Sequence, residues 1–299
     1  MSVQASQVKA LREATGAGMM DCKKALVETN GDFEEAKIYL QKKGIADSKK
    51  RSAKSASEGR CVTFISSDNR HGLLLEVNCE TDFVARNEDF GSFVEGLAEL
   101  AHKTNAASVG DLLAADWDGE KVETKVQEQS GKTGEKLVVR RLARLDVPEG
   151  KSGYLADYIH DGGKIGVLVA LNLASDADAS SDAVGTLTRD IAMHVAATDP
   201  TVVSGDDLDP DAVAREKAIL VAQAAESGKP ADIVEKMVVG RLNKWKKEVA
   251  LLSQPFVKDQ DVTVEKHVAA VSKSLSGAAG VRGFVRFLLG DGVEPSTEE

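Results

Sequence analysis

The sequence LLLEVNCETDFVARNEDFGSFV, residues 73–94, contains the change of element on which the fold of this chain depends. Its apolar beginning, residues 73–77, predicts a buried strand, and residues 89–94 begin a helical pattern. Phe83 lies in the polar run between them, so we expect it at a strand-to-helix junction, where loops carry function on a rigid scaffold. Large apolar side chains are usually buried, so the residue type alone favours a Phe83 that packs into the protein's own core. An exposed Phe83 would instead mark a contact surface.

The composition is that of an ordinary globular protein that is long enough for more than one domain. The chain has 299 residues, of which 42% are hydrophobic and 29% are charged, and its mean hydropathy is -0.21. The net charge of -10 opposes binding to a phosphate backbone, and the 4% of aromatic residues opposes stacking on single-stranded bases. The sequence therefore predicts no direct nucleic-acid partner.

The cysteines and the apolar runs indicate the cellular compartment. Cys22, Cys61 and Cys79 form no C-x-x-C pair, which argues against a disulfide framework or a zinc site and for a reducing environment. No apolar run approaches the roughly 20 residues that span a bilayer, and the N-terminus has no hydrophobic signal core. We therefore expect a cytoplasmic protein without a membrane partner.

The first 45 residues predict a small helical module. Residues 3–14 and 19–29 have helical spacing, and the two glycines between them allow a tight turn. Asp32 is placed to cap a third helix, which is expected to extend through Lys43. Residues 46–60 are polar and basic, which is typical of a linker, either helical or flexible.

Met19 and Met20 stand side by side directly after the glycine turn. Methionine is flexible and polarisable, so this pair favours an adaptable apolar contact surface. Packing between helices is the alternative that the sequence leaves open.

The rest of the chain alternates between strand and helix patterns and predicts an α+β fold with antiparallel sheets. The expected units are a first subdomain (61–150), a second subdomain (151–204 with 251–292), an inserted antiparallel helical hairpin (205–250) and an acidic tail (293–299). Residues 161–163 are expected to turn a β-hairpin, because glycine tolerates the positive φ of tight turns. The helical hairpin is predicted from the runs 211–226 and 231–249. Residues 262–275 are predicted to be helical, and residues 281–289 to form a strand.

No catalytic or metal-binding pattern is found in the sequence. The Gly-Lys-Thr of residues 131–133 matches part of a phosphate-binding loop, but Val126 stands where that loop needs a glycine. The glycines of residues 16–18 lack the third glycine of a dinucleotide fingerprint, and the five histidines lack metal-ligand spacing. We therefore expect no metal and no cofactor. A thiol enzyme that uses Cys79 stays an alternative, although a small buried thiol is commoner.

Several segments together resemble one protein family. Residues 11–36, LREATGAGMMDCKKALVETNGDFEEA, and residues 78–87, NCETDFVARN, closely resemble bacterial elongation factor Ts. Weaker matches follow in the family's order: GKTGEKLVVRR from Gly131, YIHDGGKIGVLVAL from Tyr158, DIAMHVAATDP from Asp190, SGKPADIVEKMVVGR from Ser227 and SQPFV from Ser253. The resemblance implies a ubiquitin-associated-like helical bundle and a coiled-coil hairpin. It also implies a non-enzymatic role in translation, as guanine-nucleotide exchange factor for the GTPase elongation factor Tu.

The resemblance further implies which residues contact that partner. It assigns the displacement of Mg²⁺ from elongation factor Tu to Thr81, Asp82, Phe83 and Val84. It assigns contacts with the nucleotide-binding domain to Arg12, Met19, Met20, Lys23, Thr133, Gly134 and His160, and a contact with a distal domain to Val257. Thr133 replaces an apolar residue of the family, Lys258 is less apolar than its counterpart, and the further C-terminal helix of some relatives is not expected here. These departures bear on affinity.

Two questions stay open in the sequence. The protein could act as a monomer, as a homodimer or in a 2:2 complex with its partner. The alternative function is a ubiquitin-associated-like adaptor whose α+β core binds some other protein.

Overall fold

The computed structural model describes residues 3–51, 54–225 and 230–293. The helices are α1 (Ala5–Thr15), α2 (Met19–Glu28), α3 (Phe33–Lys50), α4 (Asp82–Ala85), α5 (Glu88–Lys103), α6 (Val109–Ala114), α7 (Val122–Thr133), α8 (Asp182–Thr198), α9 (Pro210–Ala225), α10 (Ala231–Val249) and α11 (Val264–Ser272). The strands are β1 (Glu58–Ile65), β2 (His71–Cys79), β3 (Asp116–Trp117), β4 (Glu120–Lys121), β5 (Val138–Asp146), β6 (Gly153–His160), β7 (Ile165–Asn172), β8 (Pro255–Phe256), β9 (Asp259–Thr263) and β10 (Gly280–Leu288). Helices and antiparallel sheets occur together, so the fold is α+β, as predicted.

The first helices, α1 to α3, share a small apolar core. Its buried members are Val8, Leu11, Cys22, Ala25, Leu26, Ala36 and Leu40. α1 ends at Gly16, whose φ of 68° is in the left-handed region that glycine adopts without strain. The Asp32 carboxylate accepts a hydrogen bond from the Glu35 N–H at 2.9 Å, so Asp32 caps α3 as its position predicted.

α3 continues beyond Lys43, where it was predicted to end, as far as Lys50. Residues 46–50 of the expected linker are therefore helical, one of the two forms that the sequence left open. A close approach between two glycines explains the extra length. A Cβ placed on Gly131 of α7 would lie only 2.8 Å from the Cα of Gly44, so the absence of both side chains lets the helices meet. Packing on α7 therefore stabilises helical turns that are marginal alone. Residues 52–53 of the predicted linker lie outside the described residues.

Two three-stranded antiparallel sheets form the core, with strand orders β1-β2-β5 and β10-β7-β6. Leu74 of β2 and Leu168 of β7 pack together between the sheets. Leu73 and Leu75 point to the opposite face of β2 and pack with residues of α5. Because β2 is buried on both faces, its sequence is a continuous apolar run instead of an alternation. This confirms the strand predicted from residues 73–77.

The second sheet contains the predicted β-hairpin. β6 and β7 pair up to His160 and Ile165, and the turn between them includes Gly162 at φ 66° and Gly163 at φ 107°. The glycines therefore supply the positive φ values that the sequence predicted for this turn. Valines of β7, including Val167, pack against α8 on the outer face of the sheet.

A buried carboxylate connects the two sheets. Glu76 of β2 is completely buried and accepts hydrogen bonds from Arg140 Nη1 at 3.1 Å, Arg141 Nε at 2.5 Å and the Gly290 N–H at 2.9 Å. Gly290 lies two residues after the end of β10, whereas both arginines belong to β5. The charge of Glu76 thus joins the first sheet to the end of the second, and its partners compensate for the loss of hydration.

α9 and α10 lie beside each other and share an apolar contact of their own. Its buried residues are Leu220, Ala224 and Val238. Residues 226–229, between the two helices, lie outside the described residues, as do residues 294–299 of the predicted acidic tail.

The helix predicted for residues 262–275 is shorter in the structure. Residues 262–263 belong to β9, which pairs with β8, and α11 begins only at Val264. The Thr263 hydroxyl accepts a hydrogen bond from the Lys266 N–H at 3.3 Å, so Thr263 caps the helix. The apolar spacing of this region fits a helix, but pairing with β8 takes its first residues into a strand.

Candidate functional site

Phe83 is exposed at the surface. It belongs to α4, a single helical turn that follows β2 after Glu80 and Thr81. The Thr81 hydroxyl caps this turn by accepting the Val84 N–H at 3.4 Å. Ala85 is buried and Val84 packs partly against the core, whereas Phe83 is 84% exposed. The alternative in which Phe83 packs into the protein's own core is therefore wrong: α4 directs its neighbours inward and Phe83 outward.

One carboxylate holds the beginning of this segment. Glu135 Oε2 accepts hydrogen bonds from the N–H groups of Glu80, at 3.1 Å, and Thr81, at 3.0 Å. Glu135 Oε1 accepts the Thr81 hydroxyl at 2.5 Å. The Glu80 carboxylate in turn accepts the Lys136 N–H at 2.6 Å and Lys54 Nζ at 2.7 Å. Burial opposes the charge of Glu80, but these hydrogen bonds outweigh it and lower the pKa of Glu80.

The Phe83 segment and the β6–β7 turn border the same open cleft, about 490 Å³ in volume. Asp82 and Arg86 line one side and form an ion pair at 3.0 Å, and Asp161 lines the other. The hydrogen bond and charge of Lys164 lower the pKa of Asp161, and the nearby charges of His160 and Arg86 add to the effect. The cleft therefore has fixed charges of both signs at its rim.

His160 is exposed beside this cleft, at the end of β6. Its ring stacks on Tyr158 with centroids 6.0 Å apart, and its Nδ1 lies 3.1 Å from the Tyr158 hydroxyl. The structure therefore brings the region of His160 close to the Phe83 segment, although the two are about 80 residues apart in the sequence.

Met19 and Met20 begin α2 and are exposed, at 56% and 75% respectively. Arg12 of α1 and Lys23 of α2 are also exposed. The alternative in which both methionines only pack between helices is therefore wrong. The helical module therefore exposes two flexible apolar side chains and two cations, a composition suited to contact with a protein surface.

Thr133 and Gly134 form the end of α7. Gly134 is exposed and has a φ of 74°, the left-handed conformation that ends many helices. The Thr133 hydroxyl accepts the Glu135 N–H at 3.3 Å, so this turn leads directly into the carboxylate that holds Thr81. Residues 131–133 thus lie in the last turn of a helix and not in a loop after a strand, contrary to the geometry of a phosphate-binding loop.

Val257 lies in the turn between β8 and β9 and is 41% exposed. Its N–H donates to Nδ1 of the buried His194 at 3.1 Å, and His194 Nε2 lies 2.9 Å from Gln254 Oε1. A backbone N–H can only donate, so Nδ1 carries no proton and Nε2–H donates to Gln254. Burial lowers the pKa of His194, and the bond to Gln254 opposes that effect only in part. His194 therefore positions Val257 as a neutral ring.

We expect stability to decrease in acid through His194. Its folded-state pKa lies below the ordinary value of 6.5, so the stabilisation is complete above that value and is lost as the pH falls towards the folded-state pKa. The free energy of unfolding of the wild type and of His194→Gln is measured with denaturant between about pH 7.5 and 5.0. His102 and the other titrating groups are present in both proteins, so the difference between the two pH profiles is the contribution of His194. His194→Gln should show a shallower loss of unfolding free energy, and an equal loss in both proteins would contradict the assignment.

The cysteines lack the environment of a nucleophile. Burial, with the nearby charge of Glu76, raises the pKa of Cys61 to about 12, and burial, with Glu135, raises that of Cys79 to about 12. Cys22 is also buried, and its pKa is raised. A thiol of such pKa is scarcely ionised at neutral pH, and the thiolate is the nucleophile, so the structure does not support the thiol-enzyme alternative.

Neither a metal-ion cluster nor a helix that could span a membrane is found in the part of the chain that the structure describes. Among residues 3–51, 54–225 and 230–293, no cluster of three or more His, Cys, Asp or Glu side chains is arranged to hold a metal ion. Within those ranges, the helices are too short or too polar to cross a lipid bilayer.

The residues that hold the Phe83 turn and Val257 in place were not predicted from the sequence. Glu80 and Glu135 lie inside the quoted motifs, but the hydrogen bonds between their segments span about 55 residues and have no local signature. Arg60, whose Nε donates to the Ala85 carbonyl oxygen at the foot of α4, lies in the predicted linker. His194 lies in the quoted DIAMHVAATDP motif, where a histidine among the apolar residues Ile191, Ala192 and Val195 is the available signal.

The fold and the site together define an α+β protein with two exposed apolar features on separate elements. Phe83 lies on an anchored helical turn, and Met19 and Met20 lie at the start of α2. Comparison with known proteins gives the family. The family model described as "Elongation factor TS" matches residues 80–291. Elongation factor Ts of Magnetococcus marinus is 44% identical over 301 residues, covering 100% of this chain and 96% of the relative. Elongation factor Ts of Clostridium acetobutylicum is 45% identical over 298 residues, covering 99% and 95%.

The chain belongs to the elongation factor Ts family. The family is one of translation elongation factors, which act in protein biosynthesis, and these relatives are bacterial. The resemblance found in the sequence motifs is thereby confirmed over the whole length of the chain.

Proposed function

We propose that the protein is the guanine-nucleotide exchange factor of elongation factor Tu in the bacterial cytoplasm. It binds the GDP form of that GTPase, dislodges Mg²⁺, and promotes GDP release and GTP reloading. Membership of the family supports this function, and the observation that carries it is Phe83, an apolar ring 84% exposed on an anchored helical turn. An isolated aromatic ring in this position is the type of anchor that protein interfaces bury.

The exchange activity follows from a thermodynamic competition. If the protein weakens the binding of GDP by some factor, GDP must weaken the binding of the protein by the same factor. The protein must therefore make contacts that exist only with a nucleotide-poor form of the GTPase. Mg²⁺ is the largest local charge at bound phosphates, so disturbing its site weakens the nucleotide most directly. No step needs a chemical catalyst or a cofactor on the exchange factor.

The roles proposed for the residues follow their positions. Phe83 inserts between helices of the GTPase and displaces Mg²⁺ indirectly, with Thr81, Asp82 and Val84 shaping the turn that carries it. His160 contributes from the neighbouring turn.

The remaining contacts are proposed on other elements. The contacts with the nucleotide-binding domain are Arg12, Met19, Met20 and Lys23 on the helical module, and Thr133 and Gly134 at the end of α7. Val257 contacts a distal domain from the β8–β9 turn. These separate surfaces bind one partner, so each raises the effective concentration of the others.

The organisation of the chain is also part of the proposal. Residues 1–45 act as a ubiquitin-associated-like module and residues 205–250 as a coiled-coil hairpin, beside a core of two subdomains. The first helices have a core of their own, and so do α9 and α10, which supports the division. A homodimer or a 2:2 complex with the GTPase stays a prediction.

A binding titration tests whether this protein and GDP weaken each other's binding to elongation factor Tu. The dissociation constant of this protein for elongation factor Tu is measured by calorimetry with nucleotide-free GTPase, and again with saturating GDP and Mg²⁺. We expect binding to be weakened by GDP and Mg²⁺, and the affinity for GDP to be weakened by the same factor when this protein is saturating. An adaptor would bind equally well with and without nucleotide, and that result would overturn the proposed function.

A further inference from the structure

We infer that Glu135 is a positioning residue for Phe83: its carboxylate fixes the turn that presents the ring to the GTPase. The inference rests on the proposed function, since it names a residue through which the Phe83 contact acts. Glu135 would contribute without touching the nucleotide or its Mg²⁺.

The hydrogen bonds of Glu135 determine where α4 begins. Two backbone N–H groups, of Glu80 and Thr81, and the Thr81 hydroxyl all donate to this one carboxylate. The hydroxyl has a single proton, which goes to Glu135, so its lone pairs stay available for the Val84 N–H. Glu135 thus orients the Thr81 side chain as the cap of the helical turn that contains Phe83. Hydrogen bonds to an ionised group are stronger than neutral ones, which suits a fixed turn.

α4 needs such external support. It spans four residues, and a single helical turn is not stable without tertiary contacts. The Phe83 ring is 84% exposed in the free protein, so packing of the ring itself cannot define its position. Arg60 holds the end of the turn through the Ala85 carbonyl oxygen, and Glu135 holds its beginning.

Glu135 is itself fixed by the end of α7. Its N–H donates to the Thr133 hydroxyl at 3.3 Å, and its carbonyl oxygen accepts the Ser130 hydroxyl at 2.5 Å. α7 in turn packs on α3 at the Gly44–Gly131 crossing. The turn of Thr133 and Gly134 and the turn of Phe83 are therefore joined through one side chain. A preorganised turn spends less binding free energy on ordering, so loss of Glu135 should weaken the productive contact.

The test compares GDP release from elongation factor Tu with wild type, Glu135→Ala, Glu135→Gln and the matched control Glu123→Ala. Glu123 is an exposed carboxylate in the first turn of α7, the helix after which Glu135 lies, so its removal changes the net charge equally. We expect Glu135→Ala to slow release roughly tenfold, the effect of losing a charge-assisted hydrogen-bond set. Glu135→Gln keeps one acceptor oxygen for the two backbone N–H groups but loses the charge and the acceptor of the Thr81 hydroxyl, so it should slow release less than Glu135→Ala does. Glu123→Ala should match the wild type.

A double-mutant cycle separates positioning from general structure. In a Phe83→Ala background, Glu135→Ala should have little further effect, because the ring on which it acts is absent. If Glu135→Ala fails to fold, Thr81→Val replaces it in the cycle, since it removes the hydroxyl and preserves the shape. If Glu135→Ala slowed GDP release equally in both backgrounds, the positioning role would be wrong, while the role of Phe83 would stand. The same conclusion would follow if Glu135→Ala did not slow GDP release although Phe83→Ala slowed it strongly. Full activity of a folded Phe83→Ala protein would overturn the role of Phe83, and the positioning role with it.

Discussion

Phe83→Ala is expected to slow GDP release from elongation factor Tu about thirtyfold or more while leaving the free protein folded. Truncation of an aromatic interface anchor typically costs about 2 kcal/mol or more, which corresponds to about thirtyfold in rate. The ring is 84% exposed, so its loss leaves no cavity in the free protein. Surface substitutions of this kind change the free energy of unfolding by about 0.5 kcal/mol or less. Stopped-flow release of labelled GDP and denaturant unfolding measure the two effects.

Phe90 provides the matched comparison, seven residues further along the chain. It is fully buried in the core of the first sheet, so Phe90→Ala should destabilise the fold by about 3–5 kcal/mol. The two variants remove the same side chain from a surface and from a core. If Phe83→Ala destabilised the protein as much as Phe90→Ala, or if it released GDP at the wild-type rate, the assignment of Phe83 as a contact residue would be wrong.

Glu76→Ala is expected to reduce the free energy of unfolding by about 3–5 kcal/mol, because it leaves Arg140 and Arg141 without the buried charge they pair with. The same change frees the Gly290 N–H and loosens the end of β10 from the first sheet. Urea unfolding measures the loss. Glu95→Ala, which removes an exposed carboxylate from α5, is the control and should have almost no effect. A loss below about 1 kcal/mol for Glu76→Ala would show that the ion pairs do not join the sheets as described.

The sequence predicted the elements whose structure depends on interactions between residues that are close together in the chain. Residues 73–77 form a strand because their apolar run suits burial on both faces, and the glycines of residues 161–163 suit the positive φ of the turn. Asp32 caps a helix because the capping bond lies within three residues of it. In each case the interaction that decides the structure is short-range, so the pattern contains it.

The sequence could not predict what depends on distant contacts. The length of α3 depends on the crossing with Gly131, nearly 90 residues away, and the start of α11 depends on pairing between β8 and β9. The two-residue strands β3 and β4 are too short to give a periodic pattern.

The candidate site also combines features that the sequence predicted with features that depend on distant contacts. The resemblance indicated the exposed residues, but residue type alone favoured a buried Phe83, and the outward direction of its ring follows from how α4 is anchored. Glu135 and His194, which hold neighbouring residues in place, act across long sequence separations. Their roles become visible only when the fold brings their partners together.

The release of labelled GDP from purified elongation factor Tu tests the central claim most directly. The rate constant is measured with increasing concentrations of this protein, at several concentrations of free Mg²⁺. We predict that the protein accelerates release, that the rate saturates as the complex forms, and that free Mg²⁺ opposes the acceleration because it favours the nucleotide-bound GTPase. An unchanged rate of GDP release at concentrations that saturate binding would contradict the account.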